Sequence, residues 1–256
     1  MKNSKTTAII VPCYNEENRL DRQAFTDFIQ SHSDFILCFV NDGSSDNTIA
    51  VLNEIKEARP KQVHVLDIPV NGGKAAAVRA GALYLEGSTH ADYIGFIDAD
   101  LSTDFQDFKG LVDTLESNDM LDVVYGSRNK GEGNGIDRNF LRAIFSNIVK
   151  AFIYLILRLP IEDTQCGAKV FRKKIVFKTF AMPFQTRWLF DVEIFIRLKR
   201  FYKPDNVMNH IYEQPLAKWI HVDDSKLGAK DAIQIPAKLM LIWYKYNLTG
   251  GLITQA

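Results

Sequence analysis

Four times in the first hundred residues, a nearly continuous apolar run breaks off into a short polar cluster. The runs are "TAIIVPCYNEE" from residue 7, "FILCFVNDGSSDNT" from 35, "VHVLDIPVNGGK" from 63 and "YIGFIDADLSTD" from 93. A strand with one wet face alternates apolar and polar residues, so runs that do not alternate belong to strands covered on both faces. Amphipathic helical stretches separate them, and a fifth run, "DVVYGSR", follows at 122–128. Strand, turn and helix in alternation lead to an α/β fold, a Rossmann-like, mostly parallel central sheet with flanking helices over residues 5–128. In such sheets ligands bind outside the carboxyl ends of the strands, where strand order reverses. All four polar clusters stand at such ends, and the site is expected among them.

After Arg128 the texture changes. "NKGEGNGIDR" reads as a loop, then "RNFLRAIFSNIVKAFIYLILRLP" as a long helix. "TQCGAKVFRK" reads as a strand, "WLFDVEIFIRLKRF" as a helix, "VMNHIYEQPLAKWI" as strand-like and "AKDAIQIPAKLMLIWYKY" as a terminal helix interrupted by Pro236. Residues 1–256 are expected to form one domain, with a nucleotide-binding half to 128 and a smaller C-terminal portion over 129–256. Thirty-one basic residues balance 31 acidic ones, so no global field calls for nucleic acid. Cys13, Cys38 and Cys166 show neither metal spacing nor a disulfide framework, which fits a reducing cytosol. The first apolar run is too short for a signal segment, and none approaches the ~18 residues of a spanning helix. A cytoplasmic protein is expected, soluble or held at a membrane surface.

The acids carry the chemistry. On an extended chain, positions i and i+2 face the same way, so Asp98 and Asp100 could share one cation with phosphate oxygens and water, the usual setting of Mg2+ or Mn2+ on a nucleotide. D-x-D is also a frequent string in solvated turns, so the tripeptide alone leaves both readings open. Asp42 could bond a base or ribose, or serve the turn that opens the next helix, with Ser45 or Asp46 as its N-cap. "NGGK" offers backbone amides and the Lys74 ammonium to an anion, without the spacing of a Walker A loop.

Together, "PCYNEE", "NDGSSDNT", "NGGKAAAVRAG" and "DADLS" resemble the inverting family 2 glycosyltransferases of GT-A fold. "YGSR", "DTQCGAKVF" and "WLFDVEI" are similar to the branch of dolichyl-phosphate glucosyltransferase and dolichyl-phosphate mannose synthase, as is Trp219 followed by "SK" at 225–226. The resemblance covers roughly residues 6–227. It implies that Pro12, Tyr14 and Glu16 line the base and ribose pocket, with Asp42 on the base and Lys74 near the nucleotide. It further implies that Asp98 contacts the ribose or metal and that Asp100 ligates the metal, Mg2+ or Mn2+. Arg128, Arg142, Ser146 and Lys226 would surround the diphosphate or the acceptor phosphate, and Asp191 would lie on the acceptor side of the sugar pocket. Asp163 matches the position usually proposed as catalytic base.

The expected reaction is transfer of a hexose from a UDP-glucose or GDP-mannose type donor, with inversion, to a polyprenyl-phosphate-like lipid. A hydroxyl acceptor needs a base to take its proton, whereas a phosphate monoester, with a second pKa of about 6, does not. For a lipid phosphate, Asp163 would therefore position an arginine or the acceptor. The alternatives are transfer to a saccharide hydroxyl, a nucleotidyltransferase, which would need a glycine-rich loop that "PCYNEENRL" lacks, and a non-catalytic nucleotide-binding module. "AFIYLILRL" is apolar enough to rest in a membrane interface with Lys150 and Arg158 at headgroup level, or to be a buried core helix. Asp191 and Glu193 could likewise face water on an amphipathic helix.

Overall fold

The apolar runs form the strands that their pattern requires. The computed structural model describes residues 5–128, 140–217 and 229–247, with the backbone alone for 140–148 and 229–233. Strands β1 (Thr7–Cys13), β2 (Phe35–Asp42), β3 (Val63–Ile68), β4 (Tyr93–Phe96) and β5 (Val123–Ser127) alternate with helices α1 (Arg22–Ser31), α2 (Thr48–Ala58), α3 (Lys74–Ser88) and α4 (Phe105–Ser117). There follow α5 (Phe140–Leu157), β6 (Lys169–Arg172), α6 (Lys173–Phe180), α7 (Phe190–Tyr202), a 3-10 turn over Val207–Asn209, β7 (Ile211–Pro215) and α8 (Ala229–Asn247).

The strands make one sheet in the order β3-β2-β1-β4-β6-β5-β7. The chain runs outward from β1 to β3 and then returns to β4 on the other side of β1, which places the reversal of strand order between β1 and β4. All pairings are parallel except those of β6, which runs antiparallel to both β4 and β5. Its first residue, Lys169, lies opposite Phe96 and Tyr125. The chain therefore enters β6 from the carboxyl edge of the parallel strands and brings "DTQCG" with it.

Side-chain alternation explains why the runs are apolar throughout. Ile9 and Val11 of β1 pack with Phe25, Leu52 and Phe108 of α1, α2 and α4. Ala8 and Ile10 point the other way, into a cluster containing Val78 of α3, Val176 of α6 and Phe195 of α7. Burial of each such Val, Leu or Phe favours the fold by ~1.5–3 kcal/mol. Gly81 lets α3 lie close on the sheet, because a Cβ there would come within 2.6 Å of Ile10 Cγ2. The N-cap of α2 is Asn47, not Ser45 or Asp46, although Asp46 accepts the Thr48 amide at 3.0 Å.

Helices α5 and α8 pack together outside α7. Ile153, Leu157, Leu239 and Ile242 face the core, while Phe152, Tyr154, Leu155, Met240, Leu241, Trp243 and Tyr244 remain exposed. Pro236 lies within α8. No helix among the described residues is long and apolar enough to cross a membrane.

Candidate active site

The end of β2 and the start of α3 are tied together by one carboxylate. Asp42 Oδ1 accepts the Gly72 amide at 2.8 Å and Oδ2 the Gly73 amide at 2.7 Å, while its carbonyl accepts from the Asn71 side chain at 3.0 Å. Gly43 and Gly73 have φ of +65° and +87°, left-handed values that glycine adopts without strain. Asn15, also left-handed at φ +50°, follows β1 and joins it to this edge by accepting the Ser45 amide at 2.8 Å. Pro12 pairs with Val40 inside β1, Tyr14 is 38% exposed, and Glu16 is buried with its amide bonded to Thr48 Oγ1 at 2.7 Å. These residues stand at the carboxyl edge of the sheet.

Asp98 and Asp100 stand at the centre of that edge, but not as extended-chain neighbours. β4 ends at Phe96, and the two acids occupy a turn in which the Leu101 amide bonds the Asp98 carbonyl at 3.2 Å and Leu101 has φ +51°. The alternation of a strand thus does not orient them. Asp98 forms an ion pair with Lys74, and Asp100 Oδ1 accepts the Ser102 amide at 3.0 Å. Gly167 makes room for Asp98, since a Cβ there would lie 2.0 Å from Asp98 Oδ2. Burial alone would lower the Lys74 pKa; Asp98 above all, then Asp191 and Asp100, outweigh it and hold the ammonium above its ordinary value.

No group of three or more His, Cys, Asp or Glu among the described residues is arranged to hold a metal ion. Two carboxylates with substrate phosphates nonetheless make up a common Mg2+ shell. Asp98 and Asp100 fit that share of a hard cation's ligands.

The loop entering β6 builds the opposite wall. Asp163 binds Arg128 side-on, with Nε to Oδ2 at 2.7 Å and Nη2 to Oδ1 at 2.8 Å. The Arg128 and Gln165 amides add bonds of 3.1 Å to the same carboxylate. Burial would raise the Asp163 pKa, but the Arg128 bonds and charge prevail and hold it below the usual carboxylate range. Glu213 of β7 anchors this loop, accepting the Glu162 and Asp163 amides at 2.9 and 2.8 Å.

Behind it lies Lys169, 0% exposed. Its three protons go to the Thr164 carbonyl at 3.0 Å, the Cys166 carbonyl at 2.7 Å and Asp191 Oδ1 at 2.6 Å. Asp191 and Glu193 are both buried, so α7 is not an amphipathic helix showing its acids to water. Desolvation raises the Asp191 pKa, opposed by Lys169 and Lys74. Charges therefore alternate across the site in the order Lys169, Asp191, Lys74, Asp98.

Arg142 and Ser146 fall on α5, where the backbone alone is described, and Lys226 and Trp219 lie outside the described residues. Sequence reasoning missed Lys169 and Glu213. Lys169 left a trace, a lone cation in the apolar stretch "AKVF".

The profile of glycosyl transferase family 2 matches residues 8–180. Dolichyl-phosphate beta-glucosyltransferase of Dictyostelium discoideum is 30% identical over 94% of this chain and 75% of its own length. The enzyme of that description from Drosophila melanogaster is 32% identical over 93% of this chain and 74% of its own. Among solved structures, glucosyl-3-phosphoglycerate synthase of Mycobacterium tuberculosis, in complex with Mn2+, UDP and phosphoglyceric acid, superposes with a TM-score of 0.68 at 18% identity, over 94% of this chain and 79% of that one. At that identity the likeness is one of fold.

Proposed function

The chain belongs to glycosyl transferase family 2 and is a glycosyltransferase, and from that premise we propose that it transfers a hexose from a UDP-glucose or GDP-mannose type donor to a polyprenyl phosphate, inverting the anomeric carbon. The observation that carries the choice of acceptor is the Arg128–Asp163 pair. Both carboxylate oxygens of Asp163 are taken up by a guanidinium, and its proton affinity is lowered. Such a group is a poor general base. A phosphate monoester, largely dianionic at pH 7, needs none.

The residues then divide the work. Pro12, Tyr14 and Glu16 border the base and ribose, and Asp42 shapes the same pocket through its hold on Gly72 and Gly73. Lys74, at the start of α3, meets the diphosphate, its charge kept by Asp98, Asp191 and Asp100. A divalent cation held by Asp98 and Asp100 would supply further stabilisation of the departing diphosphate charge. Arg128, oriented by Asp163, faces the acceptor phosphate. Asp191 accepts from Lys169, and its charge favours the Lys74 ammonium. The exposed apolar residues of α5 and α8 make a peripheral contact with the membrane that holds the lipid acceptor.

The test is an acceptor panel with labelled UDP-glucose and GDP-mannose: a short polyprenyl phosphate, the corresponding polyprenol and a lipid-linked saccharide. Transfer to the phosphate alone is expected, with Asp163→Asn retaining activity reduced about 10- to 100-fold through the loosened arginine. Transfer to a hydroxyl acceptor, abolished in Asp163→Asn, would instead establish Asp163 as a base.

A further inference from the structure

The loop "NGGK" is gripped from two sides, and only one of them comes from the nucleotide-binding half. Asp42 receives its amides, whereas Arg187, from the connection 181–189 between α6 and α7, takes its carbonyls. Arg187 Nε donates to the Gly72 carbonyl at 3.1 Å, and Nη2 donates to the Asn71 carbonyl and, at 3.0 Å, to the Asn71 side chain. In return the Arg187 carbonyl accepts the Ala75 amide at 3.2 Å, an N-terminal helix donor with no partner inside α3. Gly73 permits this approach, since a Cβ there would stand 2.9 Å from Arg187 Cβ. A cavity of about 170 Å³ bounded by Gly72, Ala75, Arg79 and residues 183–187 lies beside the clasp. Packing between loop and connection is incomplete there, and the hydrogen bonds of Arg187 join them.

The connection is itself pinned from behind. Glu193, fully buried, accepts the Gln185 and Thr186 amides at 2.9 and 3.0 Å and the Thr186 hydroxyl at 2.9 Å. Arg197 donates to the carbonyls of Thr179, Met182 and Pro183 at 2.7, 2.8 and 2.8 Å. Tyr246 of α8 bridges the two, accepting from Arg197 Nε and donating to Glu193 Oε2, each at 2.9 Å.

We infer that Arg187 is a positioning residue for the donor: it fixes residues 71–75, and thereby the placement of Lys74 against Asp98, from a connection held by α7 and α8. This rests on the reading of the carboxyl edge as a nucleotide-sugar site. Arg187 is exposed, so its replacement leaves the core untouched. Kinetics and amide hydrogen exchange on Arg187→Ala and Arg187→Lys test the inference. Arg187→Ala is expected to raise the donor KM about tenfold, with kcat within about twofold and the acceptor KM unchanged, and to speed exchange at residues 72–76. Arg187→Lys, able to satisfy one carbonyl, should recover part of both effects. An unchanged donor KM, or unchanged exchange at 72–76, overturns the inference. So does an equal loss in kcat and in the affinity for both substrates, the signature of general damage. If the wild-type chain turns over no nucleotide-sugar, the proposed function fails, and the exchange data alone still decide whether Arg187 holds the loop.

Discussion

Gly167 is where the two walls of the site touch. A methyl at this position would overlap the Asp98 carboxylate, 2.0 Å away, so Gly167→Ala must push Asp98 off Lys74 or shift the loop that carries Asp163. The expected result is a loss of ~1–3 kcal/mol in stability and at least a tenfold fall in kcat/KM, read by calorimetry and steady-state kinetics. Undiminished kcat/KM would mean that the position of Asp98 is not needed for turnover. The acids themselves were legible, because a carboxylate closing a buried run is conspicuous. Their partners were not. Lys74 meets Asp98 across the sheet, Lys169 meets Asp191 between β6 and α7, and Glu213 meets the Asp163 amide from β7. Each pairing depends on tertiary placement that no local spacing encodes. The D-x-D reading shows the converse: a strand argument picked out Asp98 and Asp100, yet they occupy a turn.

At the level of elements, periodicity identified most helices but not α6, and read helix faces poorly. α7 carries Asp191, Glu193 and Arg197 among apolar neighbours, and Phe190–Leu198 is buried throughout, because each charge meets an internal partner. α5 and α8 show the opposite arrangement, each with a core stripe and an exposed apolar one. Leu155 and Met240 are 64% and 65% exposed, and Trp243 is 45%. If this surface meets the bilayer, Leu155→Glu and Trp243→Glu should each weaken flotation with anionic vesicles about tenfold or more, since either change removes ~1–3 kcal/mol of apolar burial and adds a repelled charge. Circular dichroism and the melting temperature should stay close to wild type. Vesicle binding equal to wild type in both variants would sink the membrane contact.

On the scale of the whole molecule, the fold class was readable because β1 to β5 each declare themselves in an apolar run with a polar end, although β7, also parallel, does not. The insertion of β6 was not readable, because four residues, Lys169–Arg172, carry no mark of the strands between which they settle. That insertion gives β4 and β5 no bond to each other; both depend on β6. A fragment ending at residue 128 would therefore expose edges of β4 and β5 that the full chain never shows. It is expected to aggregate when expressed, and a soluble, cooperatively melting fragment would refute this. The same feature sets a timetable for birth on the ribosome. At ~5–20 residues per second, the edge of β4 waits several seconds for its neighbour to be synthesised, an interval in which nascent chains are vulnerable to misassembly. A protein with an interior strand written late must be shielded early.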